Sequence, residues 1–268
     1  MNNNYPRFTL GEELTKEQIR FFDENGFLHF KNFIKPEAVQ QIINASLEVQ
    51  KKWITEDVKK VNGVPIKYGV DVNGETIVQR FAFLNQHSPV LEELIKDPRM
   101  ATLFALLGEG ARVGENEKDG MVFNHYVNVE GGSFTKMGWH TDSPRDLFYG
   151  KKILPMLNVG IHLSDAIEGD GGLRVLPGTH NKGLLSMLFR KKQFVDNNPD
   201  PNEVQIVTSS GDLTIHDGRL WHRVAPSSTK GEASRRRVIY VPIITGKYAP
   251  KDENSKTQLY QRLAGFVK

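Results

Sequence analysis

The sequence predicts a mostly β protein with flanking α-helices, folded as a double-stranded β-helix of the jelly-roll, cupin-like kind. Three observations carry that expectation. Helical apolar spacing is confined to the N-terminal part of the chain. From Met121 onward the pattern changes to eight short alternating or apolar runs broken by Gly, Pro and Asn, which suits a two-sheet jelly roll. Within those runs, a His-x-Asp pair at His140 and Asp142 has a partner histidine 80 residues beyond the aspartate, at His222.

Taken in order, Thr15 caps a short helix with Gln18 in the capping-box position, and Asn25-Gly26 stops it. Pro36 opens a longer helix with Val39, Ile42, Ile43, Leu47 and Trp53 at helical spacing, and Ser88-Pro89 opens a third. These apolar stripes read as core. The strand candidates are 121–129, 136–142, 153–163, 173–176, 204–207, 212–216, 220–225 and 237–245. With no internal repeat and no Pro- or Ser-rich linker, the expectation is a single domain, with a helical part over about 1–120 and a jelly-roll core over about 121–245. The turn-rich segment 190–202 reads either as a solvated connection or as a lid whose Arg190, Lys191 and Lys192 meet an anionic substrate.

Composition narrows the class. The 268 residues suffice for one domain with a sizeable core. Thirty-five basic and 32 acidic residues leave a net charge of +3, too balanced to make nucleic acid the expected partner. The absence of cysteine excludes disulfides, thiolate metal sites and a cysteine nucleophile. No signal-peptide pattern and no membrane-length apolar run is present, so the expected location is cytoplasmic. A Gly-rich dinucleotide fingerprint, a P-loop and a Gly-x-Ser-x-Gly elbow are all missing, which argues against hydride, phosphoryl and serine-ester chemistry.

In an extended strand, residues two apart project to the same face, so His140 and Asp142 can reach one ion. On its own such a pair is equally a surface pair or a capped turn. A third imidazole from His222 makes the two-histidine, one-carboxylate face that suits non-haem Fe(II) and leaves positions open for small molecules, although the same donors suit other divalent ions. His216, six residues earlier, is the rival to His222. His29, His87, His125 and His162 read as ordinary hydrogen-bonded histidines, and His180 as a turn residue.

Several blocks, in order, resemble the phytanoyl-CoA dioxygenase family of Fe(II)- and 2-oxoglutarate-dependent oxygenases. They are Leu14–Phe27, Phe33–Val39, His140-Thr-Asp142, Gly171–His180 and Gly211–His222. The resemblance implies that His140, Asp142 and His222 hold Fe(II), with 2-oxoglutarate and O2 as co-substrates. It implies an arginine on the strand after the distal histidine to fork onto the far carboxylate of 2-oxoglutarate, where a guanidinium gives two parallel charge-assisted bonds. Matching the apolar run 238–241 places it at Arg236, with Arg235 and Arg237 facing away. The longer approach through Thr229–Ala233 leaves room for a one-residue slip, which would flip the face.

Asn124, Tyr126, Thr141 and Asn158 are further candidates for the co-substrate wall. Asn124, Tyr126 and Asn128 share one polar face of their strand, and Trp139 is either pocket lining or core. Family members that halogenate lack the carboxylate ligand, so Asp142 favours hydroxylation of a small-molecule substrate, anionic or lipid-like in character. Two other readings stay open: a metal-binding or sensor protein without turnover, and a cupin-like hydrolase using a metal-bound water.

Overall fold

The computed structural model describes residues 4–130, 135–148, 150–258 and 261. The chain opens with α1 (Lys16–Asn25), β1 (Phe27–Phe30) and α2 (Pro36–Thr55). The short strands β2 (Lys60–Val61), β3 (Val64–Pro65), β4 (Lys67–Val70) and β5 (Thr76–Phe81) follow, then α3 (Pro89–Ile95), α4 (Pro98–Thr102) and β6 (Arg112–Val113). The remainder runs β7 (Val122–Asn128), β8 (Met137–His140), α5 (Arg145–Phe148), β9 (Met156–His162), β10 (Gly172–Val175), α6 (Gly183–Phe189), β11 (Val204–Gln205), β12 (Leu213–Asp217), β13 (His222–Ala225) and β14 (Gly231–Ile244).

The helix signals operate as the sequence indicates. Thr15 and Gln18 close a reciprocal capping box, and Gly26 takes the left-handed conformation (φ 81°) that ends α1. Pro36 and Pro89 sit in the first turns of α2 and α3, where a missing N–H costs nothing.

All strand pairings in the two main sheets are antiparallel. The larger sheet has the order β1-β12-β9-β14-β7-β5-β4, with β6 also on β14, and the smaller has β11-β10-β13-β8. All eight strand candidates correspond to strands, β14 starting earlier than expected. Residues 1–120 are not only helical, since β1, β4, β5 and β6 extend the larger sheet.

Alternation divides the larger sheet into two chemically different faces. Leu157, Val159 and Ile161 of β9, Leu213 and Ile215 of β12, and Ile239, Val241 and Ile243 of β14 pack with Val39, Ile42, Val49 and Trp53 of α2 in the main core. The opposite face carries Asn158, Thr214, His216, Arg236, Val238 and Tyr240 and looks toward the smaller sheet. Val238 and Tyr126 meet Val224 of β13 there. Helices thus cover one side in oil, and the space between the sheets is left for polar groups.

Two buried histidines away from the metal centre give a pH prediction. Burial lowers His162 to about 3, with its Nε2 hydrogen-bonded to Thr214 Oγ1 at 2.9 Å. His125 is lowered to about 3 by burial and then by the Arg237 and Arg235 charges. In the unfolded chain both take up protons near pH 6.5. Between that pH and about 3 the unfolded state therefore binds more protons, and stability falls as pH drops, by up to about 1.4 kcal/mol per pH unit for each histidine. Urea denaturation across that window checks it; stability constant down to about pH 4 would contradict it.

Candidate metal centre

β8 and β13 are neighbours in the smaller sheet, and their register sets His140 directly across from His222. Asp142 lies just past the end of β8, where its backbone N–H donates to Gly218 O at 2.7 Å and is held against the turn that leads into β13. One ligand atom from each of His140, Asp142 and His222 lies within 4.8 Å of the others. The histidines are 4% exposed and the aspartate 6%.

The hydrogen bonds choose the coordinating atoms. Nδ1–H of His140 donates to Gly138 O at 2.8 Å, and Nδ1–H of His222 donates to Leu220 O at 2.9 Å. A carbonyl can only accept, so each ring carries its proton on Nδ1 and presents a bare Nε2. Burial lowers both imidazoles, His222 well below its ordinary value, with the neighbouring rings of His140 and His216 adding to the effect. Burial by itself would raise Asp142, yet Arg145 and the surrounding imidazoles hold it well below the usual carboxylate range. Neutral imidazoles beside an ionised carboxylate are the protonation states that a divalent cation requires. The donor set fits Fe(II).

Asp142 is gripped from several sides. Asn158 Nδ2 donates to Oδ2 at 3.0 Å, and Nη2 of Arg145 stands 3.2 Å from Oδ1. Arg145 also lies 3.5 Å from Asp119, which it and Arg80 help to lower to about 2 against the opposing effect of burial. His216 enters from β12, the cross-strand neighbour of Asn158. Its ring centroid is 4.2 Å from that of His222, its Nε2 is 3.5 Å from Asp142 Oδ2, and neither ring nitrogen has a hydrogen-bond partner. The group whose ligand atoms lie within 4.8 Å of one another takes in His222 and not His216, which stands beside it as a third imidazole.

Arg236 is on the interior face of β14, cross-strand from Tyr126. Its guanidinium lies 5.3 Å from the Tyr126 ring centroid and reaches Ala225 O at 3.4–3.5 Å, while Nε has no partner. Arg235 and Arg237 occupy the opposite face. Arg235 bonds to Glu232 and His125, and Arg237 pairs across the sheet with His125. The irregular pairing between Gly231 and Arg236 absorbs the extra length without flipping the face. Asn124 is buried on this interior face with Oδ1 unpartnered, and burial raises Tyr126 to about 12. A buried guanidinium lacking any carboxylate at bonding distance fits the far end of a dicarboxylate.

Other candidates lie elsewhere. Thr141 points away from the ligands: its Oγ1 donates to Met187 O at 3.3 Å, and its N–H donates to Gln193 Oε1 at 3.0 Å. Strand alternation is the reason, since its neighbours on both sides face the metal centre. Asn128 braces a turn through Ser227 O and Thr229 O. Trp139 is core, fully buried with Leu176 and Trp221, its Nε1–H donating to Asn198 O at 2.8 Å.

Segment 190–202 is packed against β8. Phe194 N–H donates to Trp139 O at 2.7 Å, Trp139 N–H donates to Asp196 O at 2.8 Å, and the Phe194 ring stacks on His140 at 4.6 Å and 23°. Gly138 makes this approach possible, because a Cβ there would sit 2.5 Å from Phe194 O. Lys191 is turned to Asp200 at 2.7 Å, whereas Arg190 and Lys192 remain exposed beside a cavity of about 710 Å³ walled also by Phe189 and Val195.

No single signal in the sequence marked Asn158 as a partner of Asp142, or Arg145 and Phe194 as its surroundings. Arg145 was the accessible one, three residues past the aspartate.

Comparisons with known proteins agree with this geometry. Ectoine dioxygenase of Bordetella parapertussis is 22% identical over 227 residues, covering 80% of this chain and 68% of that protein. The probable alpha-ketoglutarate-dependent hypophosphite dioxygenase of Stutzerimonas stutzeri is 24% identical, covering 84% and 77%. Among solved structures, HygX from Streptomyces hygroscopicus with nickel and 2-oxoglutarate bound superposes with a TM-score of 0.63 at 20% identity, covering 88% of this chain and 89% of that one. Residues 22–237 match phytanoyl-CoA dioxygenase (PhyH), a span that takes in the triad and Arg236, and on that match the chain belongs to the phytanoyl-CoA dioxygenase family.

Proposed function

We propose that this chain is an Fe(II)- and 2-oxoglutarate-dependent oxygenase that hydroxylates an unactivated C–H bond of a small molecule, releasing succinate and CO2. The observation that carries this reading is the pairing of a buried His-Asp-His cluster with a half-buried arginine, its Nε shut off from solvent, on the same interior. A structural metal site or a metal-bound water needs no such arginine.

The metal, with 2-oxoglutarate and O2, would supply the oxidising equivalents for hydroxylation. The chain's own groups do the rest. Nε2 of His140 and His222 and a carboxylate oxygen of Asp142 would hold the ion. Arg236 orients the co-substrate by its far carboxylate, with Tyr126 and Asn124 along the same wall. A carboxylate at Asp142 would occupy the position that a halide would need, which favours hydroxylation. The relatives named for ectoine and hypophosphite support a small-molecule substrate. The exposed Phe189 and Val195 beside Arg190 and Lys192 would suit one with anionic or lipid-like character. No helix among the described residues is long and apolar enough to cross a membrane, and a cytoplasmic setting is the proposed one. We read the chain as one domain, its jelly-roll core running over about 121–245.

Anaerobic titration of the apo-protein with Fe(II) and then 2-oxoglutarate tests the proposal. A weak visible charge-transfer band of a chelated keto acid is the expected result. Fe(II) binding with no band would discard the oxygenase reading in favour of a sensor or a hydrolase.

A further inference from the structure

His216 has no part in the triad, yet it is 1% exposed with both ring nitrogens unsatisfied. A buried polar group left without a partner costs roughly 1–3 kcal/mol, so a fold that keeps one has a use for it. Its surroundings say what that use is. The ring is wedged between His222, at 4.2 Å, and Tyr240, at 6.3 Å. Phe27 and Asn158 flank it in the adjacent strands. Asp217, the next residue, faces the other way, bonded to Arg219, and so does not serve it. The acceptor its Nε2 does approach is Asp142 Oδ2, at 3.5 Å, the same oxygen that receives the Asn158 amide.

We propose that His216 is a positioning residue for the metal centre: together with Asn158 it holds Oδ2 of Asp142, fixing the plane in which this carboxylate faces His140 and His222. The proposal rests on the metal-site reading given above. Asn158 donates to Oδ2 and His216 Nε2 stands 3.5 Å from it, so two neighbouring strands of the larger sheet bear on a ligand that belongs to the smaller sheet. Without them Asp142 would be oriented by Arg145, a partly exposed side chain on a four-residue helix. Groups that orient a ligating residue typically contribute 10–100-fold to metal affinity.

The test uses Co(II) as the probe, with no 2-oxoglutarate present, following both affinity and the visible d–d spectrum. His216→Phe preserves a ring of similar volume and removes the donor. We expect Co(II) to bind about tenfold more weakly, with an altered d–d spectrum, and His216→Gln, which restores an N–H donor, to recover most of the loss. Thermal melting of each apo-protein separates this from a packing defect, which would lower the midpoint in both variants and leave the spectrum of the bound ion unchanged. Affinity within about twofold of the unaltered protein and an unchanged spectrum in His216→Phe would overturn the proposal. So would loss of Co(II) binding in His216→Phe alongside its retention in His222→Ala, because His216 would then be the ligand. A missing keto-acid band leaves these readings intact and counts against the oxygenase function alone.

Discussion

Replacing His222 with alanine is expected to abolish the keto-acid charge-transfer band and to weaken Fe(II) binding by at least about a hundredfold, since even groups that merely orient a ligand contribute 10–100-fold. The structure gives the reason in two parts. Among the described residues, His222 belongs to a group of three whose ligand atoms all lie within 4.8 Å of one another. The remaining His140 and Asp142 present two donors from a single short segment, and a two-donor site competes poorly with water for a hard dication. Loss of folding is not the cause expected. The substitution removes an imidazole crowded by two others at 4.1 and 4.2 Å, and its Nδ1 leaves behind a single backbone carbonyl. The apo-protein should lose about 1–3 kcal/mol in chemical denaturation, as for other buried truncations of this size. A keto-acid band of undiminished strength in His222→Ala would show that the distal ligand had been misassigned.

The second large effect is expected at Arg236. Substitution by glutamine should raise the KM for 2-oxoglutarate by about a hundredfold, the equivalent of losing a bidentate pair of charge-assisted hydrogen bonds. Metal affinity should hardly move, because the guanidinium bonds only to Ala225 O and overlies Tyr126, touching none of the three ligands. Lysine at the same position keeps the charge but not the fork, and should fall between the two. Stability supplies an independent reading. Burial lowers the Arg236 pKa, and its hydrogen bonds to Ala225 O are long; removing a poorly compensated, largely desolvated charge leaves a protein equally or more stable. A higher KM with an unchanged or raised melting temperature is thus the joint signature of a co-substrate anchor. Unaltered dependence on 2-oxoglutarate in Arg236→Gln would remove the residue from that role.

Much of this was legible in the sequence because it is written in short periods. Capping at Thr15 and Gln18, proline at the heads of α2 and α3, and two-residue alternation through β9 and β12 are local signals that the packing did not override. The β4–β5 hairpin carries a local signal of its own, a turn over 71–75 closed by Gly74 N–H to Asp71 O with Gly74 in the left-handed conformation. β14 starts at Gly231 instead of near 237 because its first residues are charged and half-solvated, so no apolar rhythm marks them. The environment of the metal centre is a different matter. Asn158 and His216 are 16 and 74 residues from Asp142, and their convergence depends on β9 and β12 being neighbours in one sheet while facing the other. Phe194 was hidden in the same way, its contact with His140 created by a non-local pairing that no periodicity announces.

That pairing also bears on the open edge of the smaller sheet. β8 is the last strand of the smaller sheet, so one side of it has no partner within that sheet. Exposed strand edges are templates for another chain, and natural proteins blunt or cover them. Here the two backbone bonds that tie Phe194 and Asp196 to Trp139 occupy the outward edge of β8, and the same short stretch lays an aromatic ring on a metal-ligating imidazole. Protection against intermolecular strand addition and shaping of the reactive centre are therefore assigned to one piece of chain. A change that loosens 193–198 would surface first as self-association, before any loss of chemistry could be read.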